Sequence, residues 1–257
     1  MTIDNKKRCN ELTGKEWLQN SFSIWRDISK TKEEKQLSHP ASYPVALCEK
    51  VIKTFTPKEA FILDPFVGTG STMVAASLLG KSGVGIDLSA DFIEMAKARV
   101  DDAHIQLINN DSFAVVPTLE DASVDLCLTS PPYWDILNMK HSADRKESIN
   151  YSDESADLGN ISSYPVFIDK IGSLFAQILP KLKDKGYCIV NVMDIRKKNQ
   201  FYPLHIDITE KLQQVGYTLD DIIIWDRQKE YNNMRPLGYP YKFRINKVHE
   251  YLLIFTK

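Results

Sequence analysis

The feature that most constrains this fold is the alternation of short apolar runs with amphipathic stretches. Branched and aromatic residues form runs of strand length at Phe61–Leu63, Gly83–Ile86, Ile105–Ile108, Val124–Leu128, Tyr187–Met193, Leu219–Trp225 and Glu250–Phe255. Helical patterns occupy Val45–Phe55, Ser71–Leu79, Ala90–Val100, Tyr164–Leu182 and Ile206–Val215. Strands that alternate with helices predict a mostly parallel sheet with helices on both faces, whose ligands bind at the carboxyl ends of the strands.

The last two predicted strands have no helical pattern between them, only a polar segment. We therefore expect them to pair as a C-terminal antiparallel hairpin, which makes the fold class α/β with a seven-stranded mostly parallel sheet. A chain of 257 residues with 43% hydrophobic residues is compatible with one domain over residues 1–257. An N-terminal extension (1–38) and two polar loops (134–163 and 226–247) fall outside the alternation, and we expect the loops on the substrate side.

Composition and charge limit the class of protein further. The sequence contains no run of about 18 uncharged apolar residues and no apolar run near its N-terminus, so we expect a cytoplasmic protein. The four cysteines are scattered without metal-ligand spacing, which predicts reduced, mostly buried thiols and no metal site. The net charge of −2 excludes a basic surface over the whole protein, so a nucleic-acid surface must be local.

A glycine turn follows the first predicted strand, in the sequence FILDPFVGTGST (Phe61–Thr72). Gly68 and Gly70, followed by small hydroxyl residues at the start of a helix, allow the backbone to approach a ligand closely. No lysine follows the second glycine, and the GxGxxG pattern is absent, so the turn matches neither a P-loop nor a dinucleotide fingerprint. The pattern predicts a nucleotide-type pocket that is not built around a phosphate.

An acid follows the apolar run of each of the first three predicted strands: Asp64, Asp87 and Asp111. Asp87 follows the glycine turn by about twenty residues, the spacing at which a carboxylate holds both hydroxyls of a ribose. Asp111 is a candidate partner for the edge of an adenine. Aspartates also cap helices, and each of these acids precedes a predicted helix or turn. Three such acids in succession favour an adenosine-containing ligand.

The fourth predicted strand leads directly into Thr129–Trp134, which reads TSPPYW. The adjacent prolines Pro131 and Pro132 lack backbone donors and stiffen the turn, so carbonyl groups and the Ser130 hydroxyl face whatever lies there. Tyr133 and Trp134 add flat rings on which a planar group can stack. A purely structural turn can also contain Pro-Pro, but the sequence predicts an acceptor-rich pocket.

The motifs DPFVGTGST, GID and TSPPYW, in this order, resemble the S-adenosylmethionine-dependent amino-methyltransferases of the N4-cytosine/N6-adenine nucleic-acid methylase family. The serine form of the turn, followed by Trp, resembles the enzymes that methylate cytosine N4. His39–Ile52 and His249–Phe255 are similar to the family's cofactor-side segment and final strand. The glycine half precedes the SPPY half, as if the chain were circularly permuted relative to the commonest N4-cytosine DNA enzymes.

The resemblance implies a class I (Rossmann-like) methyltransferase fold, S-adenosyl-L-methionine as cofactor and nucleic acid as partner. The implied cofactor-binding residues are His39, Pro40, Asp64, Pro65, Phe66, Gly68, Gly70, Ser71, Thr72, Asp87, Asp111 and Ser112. The implied catalytic residues are Ser130, Pro131, Pro132 and Tyr133, and the expected substrate-binding residues are Trp134, Arg235, Lys242 and Arg244. No covalent nucleophile is required for transfer to an amine.

A local basic segment lies between the last two predicted strands. Six basic residues stand there against one acid, Glu230, with aromatic residues interleaved: Arg227, Lys229, Arg235, Lys242, Arg244, Lys247, Tyr231, Tyr239, Tyr241 and Phe243. Basic side chains bind backbone phosphates and aromatic rings stack on unpaired bases, so the segment suits nucleic acid. A solvated loop with some core-facing aromatic rings is the alternative.

The function expected from the sequence is N4-cytosine methylation of DNA, by an enzyme that acts alone or beside a restriction enzyme. Methylation of cytidine N4 in structured RNA such as ribosomal RNA is an alternative, because the loops leave little room for a target-recognition region. Adenine N6 in DNA is another. A non-catalytic nucleic-acid-binding protein that retains the fold would have no need of the SPPY residues.

Overall fold

A computed structural model describes residues 8–37, 43–134, 157–197, 199–231 and 236–257. Its main sheet has eight strands in the order β1-β9-β10-β6-β5-β2-β3-β4. The strand bounds are Ile24–Trp25 (β1), Phe61–Asp64 (β2), Ser82–Asp87 (β3), Ile105–Asn109 (β4), Val124–Thr129 (β5), Leu182–Val192 (β6), Thr218–Asp226 (β9) and His249–Thr256 (β10). Two short strands, Ile195–Lys197 (β7) and Gln200–Tyr202 (β8), form a separate antiparallel pair.

Helices precede the strands or connect one strand to the next. Their bounds are Gly14–Asn20 (α1), Lys32–Gln36 (α2), Val45–Phe55 (α3), Ser71–Leu78 (α4), Ala90–Lys97 (α5), Ser112–Val115 (α6), Tyr164–Ile178 (α7) and Leu204–Val215 (α8). All seven predicted strands and all five predicted helices are present, with ends that differ by a few residues. The predicted terminal hairpin is confirmed, because β10 pairs antiparallel with both β9 and β6.

The sequence interpretation missed β1 and the β7–β8 pair. Periodicity needs more residues than these strands contain, so only pairing in three dimensions defines them. β1 adds to the edge of the sheet beside β9, with Trp25 opposite Trp225. The Trp25 side chain is buried, and the ammonium of Lys50 lies 4.3 Å from its ring centroid. Part of the predicted N-terminal extension is thus built into the sheet.

The core has two layers, one on each face of the sheet. α3, α4 and α5 cover one face, where residues such as Val51, Met73 and Ile93 are buried together. α7 and α8 cover the other, with residues such as Phe175 and Leu212. Cys48, Cys127 and Cys188 are buried thiols as predicted, whereas Cys9 is exposed. Among the described residues, no helix is long and apolar enough to cross a membrane.

Gly70 determines how closely the glycine turn packs against α5. It precedes α4 with a backbone φ of +88°, and a Cβ there would lie 2.8 Å from Cβ of Ala96. Gly80, at the other end of α4, also has a positive φ of +62°, but a Cβ there would meet nothing within 4 Å. Gly70 is therefore required by packing as well as by backbone conformation.

We expect Gly70→Ala to lower the free energy of unfolding by about 1–3 kcal/mol more than Gly80→Ala. Both substitutions place a side chain at a positive φ, but only the first also forces a contact that α5 must relieve. Urea denaturation of the two variants measures the difference. Equal losses of stability would mean that the turn is not packed against Ala96.

Candidate active site

A cleft lies at the carboxyl ends of β2, β3, β4 and β5. The cleft joins the glycine turn to the TSPPYW turn. Its lining residues include Tyr43, Pro65, Phe66, Val67, Gly68, Thr69, Ser71, Asp87, Leu88, Ser89, Asp111, Ser112, Phe113, Ser130, Pro131, Pro132, Tyr133, Asp157, Leu158 and Leu174.

The glycine turn is bonded to the end of the neighbouring strand. The Val67 amide donates to the carbonyl of Ile86 at 2.9 Å, and the Gly68 amide donates to Oδ2 of Asp87 at 2.8 Å. Gly68 adopts a positive φ of +50°, a backbone conformation that glycine reaches at little cost. These bonds fix the backbone of the turn beside the Asp87 carboxylate.

Asp87 is a half-buried carboxylate with an altered pKa. Its Oδ1 accepts a hydrogen bond from the Ser89 amide at 2.9 Å, while Oδ2 accepts from Gly68. Burial raises the pKa of Asp87 to about 6, although both amide bonds lower it. Each carboxylate oxygen can accept a second hydrogen bond, so Asp87 can still bind a pair of hydroxyl groups in the cleft.

Asp111 and Ser112 lie just after β4, which is the third strand predicted from the sequence. Asp111 caps α6, since its Oδ1 accepts from the Phe113 amide at 2.9 Å. The Ser112 hydroxyl donates to the carbonyl of Pro65 at 2.6 Å and thereby ties this turn to the glycine turn. Both residues line the cleft, so the capping role and a ligand-binding role are compatible at Asp111.

Three predicted cofactor-binding residues do not line the cleft: Asp64, Gly70 and Thr72. Asp64 is buried beneath it and its carboxylate accepts four hydrogen bonds, from the Tyr43 and Thr72 hydroxyls on Oδ2 and from the Phe66 amide and Thr129 hydroxyl on Oδ1. Burial raises the pKa of Asp64, and these bonds oppose the shift. The direct contact predicted for Asp64 is corrected to a supporting role, because three neighbouring hydroxyls and one backbone amide already occupy its carboxylate oxygens.

Gly70 packs against α5, and the Thr72 hydroxyl bonds to Asp64 and Tyr43 beneath the cleft, so neither residue faces the cleft. The predicted residues His39 and Pro40 lie outside the described residues. Seven of the predicted cofactor residues do line the cleft: Pro65, Phe66, Gly68, Ser71, Asp87, Asp111 and Ser112.

The TSPPYW turn forms the other wall of the cleft. Ser130, Pro131, Pro132 and Tyr133 all line it. The Ser130 hydroxyl lies 3.2 Å from the carbonyl of Asn191, to which it donates, and 3.3 Å from the Tyr133 phenol. A hydroxyl has one hydrogen and two lone pairs, so the Ser130 oxygen can donate to either neighbour and still accept from a donor in the cleft.

Trp134 does not have the role that the sequence predicted. Its side chain is only 4% exposed, its indole N–H donates to the carbonyl of Ile161 at 2.7 Å, and its ring packs against Tyr164 and Tyr202. The ammonium of Lys197 lies 4.1 Å from the ring centroid. Because both the ring and the N–H are occupied, Trp134 is corrected from a base-stacking residue to a core residue.

The sequence interpretation missed the residues that support the turn from behind. Asn191 and Glu250 are buried polar residues next to Tyr133, and Arg227 pairs with Glu250. These polar side chains stand within apolar strands, at Asn191 in CIVNV and Glu250 in HEYLLIF, and that is the signal that could have identified them. Tyr43 and Leu158 of the lining carry no such signal.

The predicted basic segment is divided between the protein interior and the surface. Arg227 is turned inward, and Arg235 lies outside the described residues. Lys242 is exposed and Arg244 is half-buried against Asn199. Tyr239, Tyr241 and Phe243 are between 78% and 95% exposed, so these rings are not core-facing. Lys247 lies over Phe201 of β8, which joins the segment to the β7–β8 pair.

Most of the chain matches the model of a known protein family. A family model of N6/N4 methyltransferases, described as DNA methylase, matches residues 2–98 and 124–257, and a model described as a methyltransferase domain matches residues 63–141. The Type II methyltransferase M.ScaI of Streptomyces caespitosus is 36% identical over 103 residues, which are 38% of this chain and 32% of that protein. M.HpaI of Haemophilus parainfluenzae is 43% identical over 63 residues, 24% of this chain and 20% of that protein.

The sequence matches therefore span about a third or less of the length of these curated relatives.

Structural alignments cover a larger share of some solved structures. The precorrin 8W decarboxylase of Methanobacterium thermoautotrophicum aligns with 86% of this chain and 94% of its own, with a TM-score of 0.51 at 14% identity. The precorrin-6y C5,15-methyltransferase of Geobacter metallireducens aligns with 90% and 93%, with a TM-score of 0.50 at 11% identity. These structures confirm the class I fold.

Proposed function

The chain belongs to the DNA methylase family of N6/N4 methyltransferases, and on that premise we propose that it methylates the exocyclic N4 amino group of cytosine in DNA. The observation that carries the proposal is the meeting of two sets of residues in one cleft. Asp87 and Asp111, suited to an adenosine, line the same cleft as Ser130 and Tyr133. A methyl donor and an amine could therefore be held side by side.

S-adenosylmethionine is the cofactor of this family and fold, and the residues of the cleft suit it. The half-buried Asp87 carboxylate can accept two ribose hydroxyls, and the Asp111 carboxylate lies at the neighbouring strand end for the adenine edge. Phe66, Leu88 and Phe113 supply apolar surface for a planar ring. When bound, the cofactor supplies a methyl group on a sulfonium, which is a strong electrophile.

The residues of the TSPPYW turn would activate the amine. The lone pair of a cytosine amino group is delocalised into the ring, so the enzyme must localise it and align it. The Ser130 hydroxyl and the Pro131 carbonyl would accept the two amino hydrogens, which shifts electron density onto the nitrogen. The Tyr133 ring would lie against the base. Because N4 takes part in base pairing, a duplex substrate must first extrude its cytosine.

The assignment to cytosine N4 is supported by the serine at the head of the turn, while adenine N6 in DNA is the alternative within the family. The test is to incubate the protein with methyl-tritiated S-adenosylmethionine and separate pools of duplex DNA, single-stranded DNA and structured RNA. Digestion to nucleosides then identifies the polymer and the atom together. Label in N4-methyldeoxycytidine is the expected result, and label in N6-methyldeoxyadenosine or in RNA nucleosides selects one of the alternatives.

We expect the basic segment between β9 and β10 to bind the phosphate backbone. Replacing Arg235, Lys242 and Arg244 together with Gln should weaken DNA binding and reduce the salt slope of log K by about 0.9 for each duplex phosphate that is no longer neutralised. Fluorescence anisotropy over a series of salt concentrations measures the slope. Lys97→Gln is the control, because Lys97 is exposed and paired with Glu94 at the end of α5. An unchanged slope in the triple variant would place the DNA surface elsewhere.

A further inference from the structure

A buried carboxylate that lies outside the predicted site contacts the TSPPYW turn from behind. Glu250 lies on β10 and its side chain is 5% exposed. Its Oε2 accepts a hydrogen bond from the Tyr133 phenol at 2.9 Å and another from the Asn191 side-chain amide. Its Oε1 forms an ion pair with the Arg227 guanidinium. The single carboxylate therefore joins the turn after β5, the end of β6 and the end of β9.

Strand register explains why Glu250 is there. β10 runs antiparallel between β6 and β9, with Leu252 opposite Asn191 and Glu250 opposite Trp225. The first residues of β10 consequently lie beside the last residues of β6 and β9. This is the edge of the sheet at which the cleft opens, so a side chain near the start of β10 can reach the turn.

Arg227 fixes the start of the β9–β10 connection. It is the first residue after β9, pairs also with Glu230 at 2.8 Å, and places its guanidinium 4.7 Å from the Trp225 ring centroid. Burial lowers the pKa of Arg227, but the carboxylates of Glu250 and Glu230 reverse that effect and raise it, so the residue stays charged. Removing one partner of such a pair leaves a buried charge uncompensated, which is costly. The pair of Arg227 and Glu250 thus links the β9–β10 connection to the TSPPYW turn.

We propose that Glu250 is a positioning residue for methyl transfer, which holds the Tyr133 phenol and thereby the TSPPYW turn in place relative to the β9–β10 connection. The inference rests on the proposed function and deepens it. The Ser130 hydroxyl lies 3.3 Å from the Tyr133 phenol, so movement of Tyr133 would disturb the hydroxyl that accepts the amino hydrogen. Glu250 does not touch the substrate in this role.

The kinetic test is a double-mutant cycle between Glu250→Gln and Tyr133→Phe. Each single variant should lower kcat by up to about 10²-fold, since a small displacement of reacting groups has that effect, and should leave cofactor affinity unchanged. The double variant should be no slower than the slower single variant, because both act through one hydrogen bond. Glu230→Gln is the matched control: it removes the other carboxylate paired with Arg227, does not involve Tyr133, and should retain wild-type kcat.

A second measurement does not depend on activity. In protein labelled with 3-fluorotyrosine, the Tyr133 resonance is identified by its loss in Tyr133→Phe, and it should shift or broaden in Glu250→Gln. Glu250→Asp, which keeps the charge and shortens the side chain, provides the same reading if the first variant fails to fold. Additive losses in the cycle or an unchanged resonance overturn the proposal. A wild-type protein that labels no nucleic acid overturns the proposed function instead, and the resonance then tells whether Glu250 anchors Tyr133 at all.

Discussion

Ser130→Ala should lower the turnover of methyl transfer by about 10²–10³-fold and leave the affinity for S-adenosylmethionine nearly unchanged. Ser130 lines the cleft, and its hydroxyl oxygen keeps lone pairs for an amine while its hydrogen is shared between the Asn191 carbonyl and the Tyr133 phenol. The hydrogen bond from the amine matters most as the amine attacks, so its loss raises the barrier and hardly affects binding. Single-turnover transfer of labelled methyl groups, with calorimetry of cofactor binding, separates the two effects.

Tyr133 provides the comparison for Ser130. Tyr133→Ala should weaken binding of the target base by about 1–3 kcal/mol, the usual contribution of an aromatic stacking contact, and Tyr133→Phe should restore most of that binding because the ring is kept. The phenol donates a hydrogen bond to Glu250, so its removal should affect kcat more than base binding. If Ser130→Ala and Tyr133→Ala both methylate at wild-type rates, the turn is only structural.

Asp87→Ala should weaken S-adenosylmethionine binding by about 100-fold or more. Two charge-assisted hydrogen bonds to the ribose would be lost, each with a contribution of roughly 1.5–3 kcal/mol. Because Asp87 also accepts the amides of Gly68 and Ser89, Asp87→Asn is the milder companion variant that keeps the side-chain shape. Asp102→Ala is a matched control, since that aspartate also accepts a backbone amide, at His104, but does not line the cleft.

The affinity for S-adenosylmethionine should depend on pH through the ionisation of Asp87. The pKa of Asp87 is raised to about 6, so the ionised form predominates above pH 6 and the protonated form below it. The ionised form has more acceptors for the ribose hydroxyls, and affinity should therefore fall as pH drops through about 6. Calorimetry between pH 5 and pH 8 measures it, and Asp87→Asn should flatten the profile. Wild-type cofactor affinity in Asp87→Ala would contradict the assignment of Asp87 to the ribose. The same pH profile of affinity in the wild-type protein and in Asp87→Asn would contradict it too.

The order of strands and helices could be predicted from the sequence because it depends on local patterns. Apolar runs such as Val124–Leu128 identify strands, and the acids and glycines at their ends identify the ligand edge of a parallel sheet. The position of Ser130 and Tyr133 in one cleft with Asp87 follows from that topology, since the carboxyl ends of neighbouring parallel strands meet at the same edge.

Tertiary structure decided which polar residues face the ligand and which support it. Asp64 and Asp87 both end strands, yet neighbouring hydroxyls and amides fill the acceptors of Asp64 while Asp87 lines the cleft. Trp134 follows Tyr133 directly, but packing among Tyr164 and Tyr202 buries it. Glu250 reaches Tyr133 across 117 residues of sequence through strand register alone. A local pattern determines which residues lie at a strand end, whereas burial and long-range pairing determine what each side chain contacts there.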